Sequence, residues 1–164
     1  MPPVRPPATS ADATRDIASA LTTLLADMFA LYLKTKNFDW HACGPYFRNY
    51  HLIFDAQSRQ IFATFDTIAK RVRKVGGTTL KSIGHIQQNQ HVLDNDAIYV
   101  TTHHMLAELC EDNIQLAARM REARALCEGH GDAATTSLIE TWIDQAEKRI
   151  WSLFEVSWQA REFG

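Results

Sequence analysis

Apolar residues return along this chain at helical intervals. From about Asp16 they fall at Ile17, Leu21, Leu24, Met28, Leu31 and Tyr32, the i, i+3, i+4, i+7 spacing of a helix with one buried face. This predicts a first helix ending near Trp40. Gly44-Pro45 interrupts it, and Pro45 suits the opening turn of a second helix because its missing amide proton would have no partner there. The second helix should run from Pro45 to about Val75 and stop at Gly76-Gly77. Between Gly77 and Asp96 the pattern loosens to a crossover with one short apolar run, Ile83 to Ile86. Met105, Leu106, Leu109, Ile114, Leu116, Met120 and Leu126 then mark a third helix ended by the Gly-His-Gly at 129–131. Leu138, Ile139, Ile143, Ala146, Ile150, Phe154 and Trp158 mark a fourth. No strand candidate and no internal repeat interrupts this reading, so the fold class is all-α, a four-helix bundle.

The second helix carries polar residues at its own regular interval. His51, Asp55, Asp66 and Lys70 sit near 0°, 40°, 60° and 100° around it at about 100° per residue, one stripe on an otherwise core-like helix. The centres of the His51/Asp55 and Asp66/Lys70 pairs lie over 20 Å apart at roughly 1.5 Å per residue. One chain cannot close all four around one ion. Two antiparallel copies of the helix, crossing on a two-fold axis near Arg59 to Phe62, would set Asp55 opposite Asp66 and His51 opposite Lys70. Each dimer would then hold two equal sites.

Around this stripe stand Asn37, Phe38, Trp40, Gly44, Pro45, Phe47, Arg71, Gly76 and Gly77. With His51, Asp55 and Asp66 they resemble the Dps proteins, ferritin-like cage proteins of starved bacteria, and the likeness runs from about Leu21 to the C-terminus. The resemblance implies a ferritin-like four-helix bundle whose second and third helices are joined by the long crossover. It also implies a dodecameric cage for iron storage and protection against oxidative stress, with a ferroxidase centre at the dimer interface that oxidises iron(II) with peroxide or oxygen. In that pattern two His and one Asp come from one subunit, an Asp and a Glu from the other. Here Asp39 stands in place of one His, and Lys70 in place of the Glu. The implied metal set is Asp39, His51, Asp55 and Asp66, with Lys70 inside the catalytic constellation and Trp40 beside it. A carboxylate at 39 is still a ligand type, whereas a protonated ammonium cannot coordinate a cation and repels one. The expectation is a weakened centre, with Lys70 paired to Asp39 or Asp55 of the other subunit or to its own Asp66. The alternative is a catalytically inactive structural or DNA-protecting cage, assembling alone or with an active paralogue.

Composition changes this picture little. The chain has 164 residues, 46% of them apolar, which suits one well-cored domain. Its net charge of −2 supplies no basic field for nucleic acid. Residues 1–15 hold four of the five prolines and no lysine, and are expected as a flexible arm ahead of a domain spanning 16–164. DNA binding, carried by a lysine-rich arm in some relatives, has no such support here. Three scattered cysteines fit reduced thiols in a cytoplasmic protein. The most apolar stretch, LTTLLADMFALYL, reads as too short to span a bilayer. His41 lies about 200° round from Asp39 and is not expected to replace the missing His. Glu140, Asp144 and Glu147 share one helical face, read as a solvated face ahead of a cage pore.

Overall fold

The computed structural model describes residues 10–162. These form α1 (Ala11–His41), α2 (Phe47–Phe62), α3 (Phe65–Lys74), α4 (Ile83–Asn89), α5 (Thr102–Gly129) and α6 (Ala133–Glu162), with no strand among the described residues. Taken together α2 and α3 make the second long helix, so four long rods, α1, α2–α3, α5 and α6, build the expected bundle, and α4 is the short helix of the crossover.

α1 begins five residues before the expected Asp16. Ser10 explains this: its Oγ accepts from the Ala13 amide at 3.2 Å, and Asp12 lies in the first turn, where the free amides favour negative charge. Residues 11–15 are therefore helix, not extended arm, and residues 1–9 of that arm lie outside the described residues. α1 is also long and apolar enough to cross a bilayer by composition. Its apolar residues, Ile17, Leu21, Leu24, Met28 and Leu31, are instead buried in the bundle core.

The second long helix is not continuous. At Thr64 the backbone amide and the side-chain hydroxyl both donate to the Ile61 carbonyl, at 3.0 and 2.7 Å. Such hydroxyl competition, with an i→i+3 amide bond, tightens one turn and separates α2 from α3. Phe29, Tyr32, Phe62 and Phe65 pack around the break, with Phe29 and Phe65 stacked at 3.9 Å.

α3 stops as its glycines predict. Gly76 has φ 96°, its amide donates to Arg73 O at 3.1 Å, and the Gly77 amide donates to Val72 O at 3.0 Å, the paired closure of a glycine-capped helix. Gly77 serves a second purpose, close approach to α1: a Cβ there would stand 2.5 Å from the Ala18 Cβ. Gly77→Ala is expected to lower stability by about 1–3 kcal/mol in urea unfolding, and an unchanged midpoint would show that α1 can yield.

The crossover is strapped to α1 by polar side chains, of which Asp27 and Lys34 are buried. Asp27 Oδ1 accepts from the His91 and Val92 amides at 2.5 and 3.3 Å, Lys34 Nζ donates to Leu93 O at 2.8 Å, and Asn37 donates to Asn95 O at 3.2 Å. The same side chains reach α5, with Arg119 Nε 2.9 Å from Asp27 and Lys34 Nζ 2.8 Å from Asp112. Burial raises the Asp112 pKa, and Lys34 offsets part of the rise. A second glycine closure at Gly131, φ 73°, ends α5 and turns the chain straight into α6, so these two helices pack as antiparallel neighbours. Asp132 caps α6, accepting from the Thr135 amide at 3.0 Å, while Arg71 of α3 reaches it at 2.9 Å. Burial works to raise the Asp132 pKa, but the Thr135 and Arg71 donors outweigh it and hold it low.

Several residues depart from the expected core. Ile114, Leu126, Phe154 and Trp158 are exposed, whereas Arg149 is 1% exposed. Its guanidinium donates to Asn113 Oδ1 at 2.7 Å and Gln60 Oε1 at 2.9 Å. Burial pulls its pKa down to about 10.

Candidate metal centre

The end of α1 and the start of α2 lie side by side because Gly44, with φ 108°, reverses the chain between them. Lys36 and Asp39 thereby meet Asp55 and His51. Asp39 is the buried centre of the group, its side chain 2% exposed. Its Oδ2 accepts from Lys36 Nζ at 2.8 Å. Its Oδ1 lies 2.5 Å from His51 Nδ1, close but not aligned as a hydrogen bond, so that buried oxygen has no aligned donor. His51 Nδ1 is also 3.3 Å from the Asp39 carbonyl oxygen.

Lys36 reaches further. Its Nζ stands 3.4 Å from Asp55 Oδ1 as well as 2.8 Å from Asp39, and Arg59 Nε is 3.0 Å from the other Asp55 oxygen. The hydrogen bond to Asp39 raises the Lys36 pKa against the opposing effect of burial. An ammonium thus bridges two carboxylates beside an imidazole, standing in for a cation among donors of the type that suits iron(II). Trp40 is exposed, with Lys36 Nζ 6.0 Å from its ring centroid.

Asp66 and Lys70 form a separate group on α3. They pair with each other at 2.6 Å, with both side chains largely exposed. Lys70 therefore takes its own Asp66, one of the partners expected for it. Among the described residues no three His, Cys, Asp or Glu side chains of one chain gather as a metal site.

His41 is turned to Asn37, with Nδ1 2.7 Å from its carbonyl oxygen, and takes no part. Two histidines without expected partners have them: His91 approaches Asp27 at 3.4 Å and His130 approaches Asp16 at 3.1 Å. On the acidic face of α6, Glu140 pairs with Arg124 at 2.8 Å and Glu147 with Arg121 at 2.7 Å. Sequence reasoning missed Lys36 and Arg59. The signal was local, since Lys36 is three residues before Asp39 and Arg59 four after Asp55, the intervals at which helix side chains meet.

The ferritin-like domain pattern matches residues 18–162. Antigen TpF1 of Treponema pallidum is 27% identical over 137 residues, covering 84% of this chain and 77% of its own. Its crystal structure superposes with a TM-score of 0.87 at 26% identity, covering 93% and 99% of the two chains. The DNA protection during starvation protein of Agrobacterium fabrum is 28% identical over 142 residues, covering 87% of this chain and 88% of its own. The Dps protein of Vibrio cholerae O1, a member of the ferritin-like diiron-carboxylate superfamily, superposes with a TM-score of 0.84 at 20% identity, covering 92% and 98%. The match over nearly the whole chain, the bundle with its strapped crossover and the Dps relatives agree, and the chain belongs to the ferritin-like domain family, among its Dps proteins.

Proposed function

We propose that this chain is the subunit of a mini-ferritin cage that binds iron(II) between two-fold related copies, stores it and limits its chemistry with peroxide. The observation that carries this reading is a half-site: Asp39 and Asp55 converge on the Lys36 ammonium at the α1–α2 end with His51 against Asp39, while among the described residues Asp66 stands on α3 with no metal-holding group of its own chain. A partner's Asp66 opposite Asp55 would supply the missing carboxylate. The diiron-carboxylate superfamily named for the Vibrio protein supports iron as the cargo, and the relative named for DNA protection during starvation supports a protective role. A dodecameric shell in the cytoplasm is the assembly this reading adopts.

The reaction takes one electron from each of two iron(II) ions, reduces one peroxide and, with two protons, releases two waters. His51 offers an imidazole nitrogen, and Asp55 and the partner's Asp66 offer anionic oxygens. Three basic groups oppose this work. Lys36 and Arg59 hold Asp55, and Lys70 holds Asp66, so the carboxylates at 39, 55 and 66 are balanced in charge before any iron arrives. Iron(II) must displace ammonium groups to bind, which makes the centre weak. The same balance favours the second reading, a cage without ferroxidase activity.

The test follows iron(II) oxidation by peroxide through the absorbance of the ferric product, in wild type and His51→Ala. A wild-type rate above the protein-free rate that falls to background in His51→Ala is the expected result. Equal rates in both proteins would leave the inactive cage as the function.

A further inference from the structure

We infer that Arg149 seats a small monovalent anion, of the chloride class, inside the bundle where α2, α5 and α6 meet. The site is independent of the proposed iron centre.

Charge pairing elsewhere in the fold makes Arg149 the exception. The other cations drawn into the bundle each meet a carboxylate: Lys34 meets Asp112, Arg119 meets Asp27 and Arg71 meets Asp132. Arg149 is buried more deeply than Lys34, yet among the described residues its guanidinium has only neutral partners. Nε donates to Asn113 Oδ1 at 2.7 Å and Nη1 to Gln60 Oε1 at 2.9 Å, while Nη2 is buried and donates to nothing. Burial pulls the pKa down to about 10 with no acidic group opposing it, which still leaves the group charged at neutral pH. A positive charge held in an apolar interior is costly unless a negative one meets it.

A second donor is within one helical turn. Gln145, four residues before Arg149 on α6, shares its face, and Gln145 Oε1 is buried without a donor. The two ends of an amide fill nearly the same space. With this amide turned end for end, its NH₂ faces inward beside Nη2, and the oxygen leaves a buried place that gives it no partner. An anion between them accepts from both donors and supplies the missing charge. A water there would accept from Nη2 and donate to Gln145 Oε1 or to Gln57 Oε1, which is also buried without a donor, but it would leave the charge unmatched. Enclosure of the guanidinium selects a single small ion over phosphate or an organic acid. Because Arg149 joins Gln60 of α2 to Asn113 of α5, the anion tightens the docking of α2 in the bundle.

The experiment uses the full-length protein. It is melted at one protein concentration and equal ionic strength in sodium gluconate, chloride and bromide, and crystals grown in bromide are measured at the bromine absorption edge. The melting midpoint is expected to rise by about 2–4 °C from gluconate to chloride, with bromide no lower than chloride. An anomalous bromine peak is expected within hydrogen-bonding distance of Arg149 Nη2. General salt effects act at the protein surface and should be the same in Arg149→Met, which exchanges the buried charge for an apolar side chain and is expected to lose the rise. Gln145→Leu, which removes only the second donor, should shrink it. Wild-type crystals with a water and no bromine peak at Nη2 overturn the inference. A bromine peak with equal midpoints in the three salts is binding at crystal concentration only and overturns it too, as does a rise that Arg149→Met retains. The wild-type crystals and melts need no variant, so an Arg149→Met chain that fails to fold leaves the decision to them.

Discussion

Lys70→Glu raises the rate of iron(II) oxidation by about tenfold or more over wild type, because one substitution removes a fixed positive charge and adds an oxygen ligand. In the isolated chain the Lys70 ammonium already neutralises Asp66 at 2.6 Å. A glutamate there frees that carboxylate for iron and stands four residues along the same helical face. Combining it with Asp39→His adds a second imidazole and gives the largest rise. Asp39→His alone gives little, since the Lys70 ammonium remains and Lys36 loses the acceptor it now holds at 2.8 Å. The check is oxidation by peroxide, followed by absorbance, for wild type and the three variants at equal cage concentration. A wild-type rate equal to that of the double variant would mean that Lys70 swings clear of the bound ion, and the weakened centre would have to be given up.

The largest effect on stability is expected from Asp27→Ala. This fully buried carboxylate holds the crossover through the His91 and Val92 amides and holds α5 through Arg119 at 2.9 Å. Truncation leaves two backbone donors and a mostly buried guanidinium without their acceptor, at a cost of about 3–5 kcal/mol. Asp27→Asn keeps an oxygen for the amides but loses the charge facing Arg119, and should fall between. Urea unfolding measures the loss, and hydrogen exchange at the His91 and Val92 amides locates it. A loss below about 1 kcal/mol, with those amides still protected, would show that Lys34 and Asn37 hold the crossover without Asp27.

The four rods were legible because helical periodicity and glycine stops are local signals, and Gly76, Gly77 and the Gly-His-Gly at 129–131 close their helices as expected. The break at Thr64 was not, since a hydroxyl that competes for the Ile61 carbonyl is sequence-silent until the turn has formed. Periodicity also told which residues share a face without telling whether anything covers it. Phe154 and Trp158 follow the fourth helix's apolar pattern yet stay exposed in the single chain, and Arg149 sits within that pattern while fully buried. At the candidate centre, the separation of His51/Asp55 from Asp66/Lys70 followed from helix geometry alone. The bridging role of Lys36 did not, because it joins the ends of two helices and needed the Gly44 reversal to bring Asp55 within 3.4 Å.

The central claim is that each site takes His51 and Asp55 from one subunit and Asp66 from another, and cross-subunit complementation tests it directly. His51→Ala and Asp66→Ala each remove a ligand from every site, so neither cage alone should oxidise iron(II) above background. When the two chains are expressed together and mix at random, a site is intact only where the subunit giving His51 carries the Asp66 substitution and its neighbour carries the other, which restores about one quarter of the wild-type rate in the mixed cage. A mixed cage as inactive as its two parents would place both ligands within one chain and contradict the shared site.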